Sequence, residues 1–337
     1  MNVALIGLEG HQSAMLEGIV QLHDVQLVAV ASDNPDKLQA VKRSPAVTGD
    51  TWLYADWREL LEQHDLDVVG VCTVNGERAP VLLECARRGV HILSEKPLVT
   101  TLEDLATVRA AIEGAGVRLS MLMTMRFEPA FKKMHDLLRQ GTIGEPVAAS
   151  AQKSYKLGDR PEWMRDRATF GGVIPFVGIH ALDLVRWTTG CEFTEVAAWH
   201  SNVAHPEIRD MEDNASVLLR MANGGTATLR IDYLRPTMAP THGDDRLRVA
   251  GSEGVLEVLG DDRRLTLMTH DQGPYAVAPD PEEQFFVEFV RSLRGECAHR
   301  ISAADAYRLT EICLQARAAA DEGRIVSLAP VREHPSR

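Results

Sequence analysis

Val90-His91-Ile92-Leu93-Ser94-Glu95-Lys96-Pro97 is an apolar run that stops on a glutamate, a lysine and a proline. It closes two strand–helix repeats that begin at the turn Gly7-Leu8-Glu9-Gly10. In an open parallel sheet, residues just past the carboxyl end of a strand face the crevice where ligands sit. A proline directly behind Lys96 leaves the loop few conformations. The stretch therefore reads as the rim of a cofactor site, with the cation of Lys96 beside a reacting carbon. The plainer alternative is a solvated charge at the start of a loop.

Outward from that stretch, residues 1 to about 123 alternate between two patterns. Short β-branched runs fall at 3–6, 25–31, 68–72, 91–93 and 118–123, with helical patterns at 13–22, at 79–88 and from Thr101 onward. Thr100 followed by Glu103 has the form of a capping box for that third helix. Strands that are apolar throughout, separated by helices, predict a parallel sheet covered on both faces. Past Met125 the pattern changes. Residues 127–140 form one amphipathic helix stopped by Gly141, and strand-like runs then dominate at 147–155, 195–201, 215–221, 226–234, 247–250 and 255–259. Asn223-Gly224 between two of them is a hairpin signal, for which positive φ is expected at both residues. The fold class is α/β: an N-terminal doubly wound parallel sheet, then an α/β domain with an open, mostly antiparallel sheet. Two helices close the chain. Phe286, Phe289, Val290 and Leu293 mark one, and Ser302 with Asp305 caps the other, which ends near Gly323. The tail 332–337 is expected to fray.

Composition narrows the partners. Of 337 residues, 45% are hydrophobic and 25% charged, with a formal net charge of −12. An acidic surface repels phosphate backbones, so no nucleic-acid partner is expected. No apolar run approaches the roughly 18 residues that span a bilayer, so no membrane association is expected either. The segment from Met1 runs straight into a strand without a basic region, which is not the pattern of a signal peptide. Five scattered cysteines without CxxC spacing read as free thiols in the cytoplasm, not as disulfides or a metal site.

Several residues would carry chemistry. The turn Gly7-Leu8-Glu9-Gly10-His11-Gln12 lies between a strand and a helix, where a dinucleotide fingerprint belongs, but Glu9 stands where a bare glycine normally meets the pyrophosphate. Gly10 is placed to serve instead, and the helix amino terminus offers N–H groups to phosphate. Ser32 and Asp33 end the second strand, and an acid there accepts hydrogen bonds from a ribose diol. Lys37 and Arg43 lie near enough in sequence to attract a 2′-phosphate. Asp33 favours NAD, and the two cations keep NADP as the alternative. Further on, Gly171 and Gly172 permit a bend into a helix on which His180 and Asp183 share a face. A histidine exchanges protons near neutral pH, and Asp183 is better suited to holding the helix than to reacting. The loop 160–167 combines Trp163 with Arg160, Arg165 and Arg167; it is either a substrate cover or a surface loop packed by its tryptophan.

With these residues in view, the chain resembles the Gfo/Idh/MocA family of sugar and inositol dehydrogenases over nearly its whole length. The likeness runs through the N-terminal turn, Thr73-Val74-Asn75, Glu95-Lys96-Pro97, Arg126-Phe127, Gly141-Thr142-Ile143-Gly144-Glu145-Pro146, Gly171-Gly172, and Gly178-Ile179-His180 with Asp183. The resemblance implies an NAD(P)-binding Rossmann domain over 1–123 and a substrate-binding and oligomerisation domain over 124–337, whose open sheet would pair subunits as a homodimer or homotetramer. It implies that Lys96 sits beside the nicotinamide and that His180 is the general base, both on one spot above the ring. It also implies a cofactor lined by Gly7, Glu9, Gly10, His11, Gln12, Ser32, Asp33, Thr73, Asn75, Glu95 and Lys96. A polyol or sugar-like substrate would meet Arg126, Tyr155, Trp163, Arg167, Phe176 and Asp183. Three positions depart from the family pattern. Phe176 replaces an aspartate four residues before the histidine, Val74 replaces a proline, and Arg78 replaces a histidine. The expected activity is NAD(P)-dependent oxidation of a secondary alcohol of a sugar, cyclitol or related polyol. A non-catalytic dinucleotide sensor, and a glycosidase or lyase with transient hydride transfer, are the rival readings.

Overall fold

The computed structural model describes residues 1–208 and 210–330, so the tail expected to fray at 332–337 lies outside the described residues. The chain divides into two compact units. One comprises Met1–Thr124, Ala168–Gly171 and Glu283–Thr310; the other comprises Met125–Arg167, Gly172–Glu282 and Glu311–Arg337.

The first unit is built on six strands: β1 (Asn2–Ile6), β2 (Gln26–Ala31), β3 (Trp52–Tyr54), β4 (Val68–Val71), β5 (His91–Ser94) and β6 (Leu119–Met121). They lie in the order β3-β2-β1-β4-β5-β6, and every pairing is parallel. This is the doubly wound order, whose direction reverses between β1 and β4. Val3, Leu5, Val68, Val69, Ile92 and Leu93 are fully enclosed, as strands covered by helices on both faces must be. β3 and the helices Pro35–Val41 and Trp57–Gln63 were not anticipated. The cap of helix Leu102–Ala115 sits one residue later than expected: Thr101, not Thr100, accepts from the backbone N–H of Asp104 at 3.1 Å. Helix Phe285–Leu293 completes this unit against helix Gln12–Val20. It approaches so closely at Gly18 that a β-carbon there would stand 2.6 Å from that of Phe286.

The second unit holds nine strands: β7 (Pro146–Tyr155), β8 (Phe193–Ser201), β9 (Asn214–Met221), β10 (Thr226–Asp232), β11 (Gly243–Gly251), β12 (Gly254–Leu259), β13 (Arg264–Thr269), β14 (Tyr275–Val277) and β15 (Val326–Ser327). Their order is β14-β13-β12-β11-β7-β10-β9-β8-β15. β7 and β10 run parallel, and the other pairings are antiparallel. Helices Pro129–Arg139 and Ile179–Thr189 pack on one face of the sheet. The other face is open, and burial alternates residue by residue along β9, leaving Leu218 exposed beside Trp199 of β8. The β9–β10 hairpin forms at Asn223-Gly224 as anticipated, but only Gly224 has positive φ. Asn223 instead accepts from the N–H of Gly225 through its side chain, so an Asx turn does the work assigned to a second left-handed residue.

One helical run, Arg167–Thr189, is long and apolar enough by length and composition to cross a bilayer, contrary to the expectation that no such run exists. Of its most apolar window, 83% is buried within the protein, as in a core helix.

Candidate functional site

In the first unit the expected cofactor residues gather where β1 and β4 end. Gly7 has φ 81°, donates to Ala31 of β2 at 2.8 Å, and lies so close to the Cys72 carbonyl that any side chain would collide with it. The next link is the N–H of Glu9, which donates to that same carbonyl at 2.8 Å. A cavity of about 390 Å³ opens beside this turn. Gly7, Glu9, Ser32, Asp33 and Thr73, all expected at a cofactor, line it together with Trp57 and Arg58, which were not. The unforeseen wall comes from the turn after the short strand β3 and the start of helix Trp57–Gln63, which Asp56 caps.

Gly10 has a different use from the one expected. Its φ is 78°, and the space its side chain would fill holds the carboxylate of Glu95. Glu95 is 2% exposed. It accepts from the backbone N–H of His11 at 2.5 Å and from its own neighbour's N–H, Lys96, at 2.6 Å, and one oxygen lies 2.5 Å from His11 Nδ1. Burial would push this carboxyl up. The charges of His11, Lys96 and Arg78 outweigh burial and hold it at about 2. Glu95 thus fastens the glycine turn to the loop after β5, and that loop carries the buried Lys96. Gln12 opens the helix Gln12–Val20 behind the turn.

Arg78, read from the sequence only as a departure, completes the frame. It is fully enclosed and donates to the carbonyls of Pro97 and Thr73 and to the side-chain oxygen of Asn75 at 3.0 Å. Asn75 in turn donates to the Phe170 carbonyl at 2.8 Å. Its amide is thereby committed to the protein's own frame.

In the second unit, a π-helical turn Ile174–Gly178 leads into helix Ile179–Thr189, which carries His180 (3% exposed) and Asp183 (fully enclosed). Asp183 pairs with the buried guanidinium of Arg126, whose Nη2 lies 2.6 Å from Oδ1 and whose Nε lies 3.0 Å from it. Arg126 also lies over the Trp187 ring, 5.5 Å from its centroid. The pair anchors the helix that carries His180, and it commits Arg126 and Asp183, both expected to meet substrate, to each other. Trp163 and Phe176 meet edge to face with centroids 6.1 Å apart, an apolar wall of the kind the substitution at 176 implies. Tyr155 ends β7 beside Lys153, whose ammonium stands 4.9 Å from the ring centroid and 2.5 Å from Asp245. Burial pushes the Tyr155 phenol up, against the pull of Lys153, so it stays a hydroxyl donor at neutral pH. Arg167 is drawn elsewhere: it pairs with Glu212, and with Asp321 through two contacts of 2.8 Å. Among the described residues no group of His, Cys, Asp or Glu side chains is arranged to hold a metal ion.

Comparison with known proteins bears on the fold and the family. Residues 1–123 match the profile of an oxidoreductase family with an NAD-binding Rossmann fold, and residues 131–257 match the GFO/IDH/MocA C-terminal domain. A solved structure from Thermotoga maritima, assigned to the oxidoreductases, superposes with a TM-score of 0.92 at 34% identity, covering 97% of this chain and all of that one. The myo-inositol 2-dehydrogenase of Thermotoga maritima is 29% identical over 278 residues, 81% of this chain and 79% of that protein. The D-apiose dehydrogenase of Paraburkholderia graminis is 28% identical over 280 residues, 82% of this chain and 72% of that protein.

Proposed function

The chain belongs to the Gfo/Idh/MocA oxidoreductase family, and from that premise we propose that it oxidises a secondary alcohol of a sugar, cyclitol or related polyol with NAD. Residues 1–123 serve the dinucleotide; residues 124–337 serve the substrate and subunit pairing. When bound, the dinucleotide supplies the hydride acceptor. The first unit fits it: a bare Gly7 at the switch point of the sheet, a helix amino terminus behind the turn, and a cavity walled by Ser32 and Asp33.

Lys96 donates to the substrate hydroxyl oxygen and stabilises the negative charge that builds there. His180 takes the hydroxyl proton on a ring nitrogen. Phe176 and Trp163 offer an apolar wall to one face of the substrate, and Tyr155 offers a hydroxyl donor. The observation that carries this reading is the Glu95 clamp, because it spends a buried charge on holding Lys96 and the glycine turn in one frame. The reading is tested by mixing purified protein with a polyol panel and NAD or NADP. Reduced-nicotinamide absorbance supports it; a folded protein that yields none with any polyol counts against it.

The position of Phe176 favours a second reading. Without a carboxylate four residues before His180, the protein would bind dinucleotide without net turnover, as a sensor or with hydride transfer that reverses within one cycle. Tightly held cofactor and no net reduction would distinguish it. The free thiols of all five cysteines accord with a cytoplasmic setting. The open sheet face, with Trp199 at 66% exposure and Leu218 at 46%, accords with a homodimer or homotetramer built on that face.

A further inference from the structure

We infer that the ion pair between Glu9 and Lys37 sets which nicotinamide dinucleotide the first unit accepts, and that it keeps this an NAD site. The inference rests on the dinucleotide-binding part of the reading above and is independent of its alcohol chemistry. Glu9 occupies the fingerprint position where a bare residue is usual. Its backbone is fixed by the bond to the Cys72 carbonyl, and its carboxylate reaches the ammonium of Lys37. That ammonium belongs to the first turn of helix Pro35–Val41, just past β2. Ser32 Oγ accepts from the Asn34 N–H at 3.2 Å, and Asn34 Oδ1 accepts from the Lys37 N–H at 3.1 Å. The chain from the end of β2 to Lys37 is thus one hydrogen-bonded turn, which places Lys37 where it can be held by Glu9.

A 2′-phosphate brings close to two negative charges, and it needs uncommitted cations near the end of β2. The cavity offers the opposite. Glu9, Asp33, Asp56 and Glu77 contribute four carboxylates to its wall, and Arg58, the one guanidinium there among the described residues, already donates to Asp56 at 3.3 Å. Lys37 would be the natural phosphate ligand, but Glu9 answers its charge. The pair is 20% and 34% exposed, so water screens it less than it screens a pair on open surface. A ribose diol asks only for acceptors, which Asp33 supplies. Glu9 therefore excludes the 2′-phosphate twice, by its own charge and by holding the cation that would receive it.

Calorimetric dissociation constants for NAD and NADP, measured without substrate on the wild type, Glu9→Gln, Lys37→Met and the double variant, test this. The wild type is expected to bind NAD more tightly. Glu9→Gln keeps the side chain's length and the backbone bond while freeing Lys37. It should move the preference toward NADP by about tenfold, equivalent to roughly 1.4 kcal/mol, chiefly through the NADP constant. Adding Lys37→Met should remove that gain. An unchanged NADP/NAD ratio in Glu9→Gln overturns the inference. So does a wild type that prefers NADP and loses that preference in Lys37→Met, because the ammonium would then leave Glu9 for the phosphate. Failure of folded wild type to bind either dinucleotide removes the premise as well. Binding of NAD with no polyol oxidised would remove only the alcohol chemistry.

Discussion

Replacing Glu95 with glutamine removes one charge from a site with almost no water, and its cost follows from what the carboxylate holds. Its oxygens accept two backbone N–H bonds, from His11 and Lys96, and lie against the His11 ring. A glutamine has one acceptor oxygen, so its amide would face a backbone donor. The carboxyl is held at about 2, well below the 4.5 ordinary for a glutamate. At 1.36 kcal/mol for each unit of difference, the charged form contributes on the order of 3 kcal/mol near neutral pH. The folded-state value is depressed, so this contribution is complete above about pH 4.5 and is lost as pH falls toward 2. Denaturant unfolding of wild type and Glu95→Gln, compared at pH 7 and again near pH 3, measures it. The two should differ by about 3 kcal/mol at pH 7 and by less than half of that near pH 3. Because the same carboxylate fastens Gly10 and His11, the variant should also bind NAD more weakly at pH 7. A stability difference below about 1 kcal/mol at pH 7, or one that does not change with pH, would refute the clamp.

The remaining predictions are briefer. Lys96→Met should lower kcat by roughly 10²- to 10⁴-fold while NAD binding by calorimetry stays close to wild type; equal loss of both would make Lys96 a binding residue only. Asp183→Asn leaves the Arg126 guanidinium without its buried counter-charge and should cost about 3–5 kcal/mol in urea unfolding, whereas a loss under about 1 kcal/mol would mean that the pair is not structural. Trp199→Glu puts a charge on the open sheet face. Light scattering should show a smaller assembly than wild type with activity per chain retained, and an unchanged mass would remove that face from subunit pairing.

Fold and site were legible to different depths, for physical reasons that individual residues show. β1, β4 and β5 were readable because a central parallel strand is apolar on both faces, as Leu5, Val69 and Leu93 are. β3 was not, because it is three residues long at a sheet edge and leaves Trp52 64% exposed, so it has no buried pattern to read. β14 and β15 escaped for the same reason, being three and two residues long at the two edges of the second sheet. In the site, Glu95-Lys96-Pro97 and the glycine turn announced themselves locally. Their connection did not: Gly10 is bare to admit a carboxylate from more than eighty residues away. Arg167 looked like a substrate ligand beside Trp163, but its carboxylate partners, Glu212 and Asp321, lie far along the chain. Local periodicity encodes which face is apolar; it carries no record of which distant charge a guanidinium will find.

The placement of β7 has a consequence for biosynthesis. Its neighbours on either side, β10 and β11, begin at Thr226 and Gly243, whereas β7 itself ends at Tyr155. At translation speeds of about 5–20 residues per second, the middle strand of the second sheet emerges from the ribosome and waits several seconds with both edges unsatisfied. The first unit waits longer, since Glu283–Thr310 must be made before it is complete. A nascent chain of this protein is therefore an open template for strand addition while ribosomes cross residues 156–250, and chaperone demand in the cell should track the pace of that crossing.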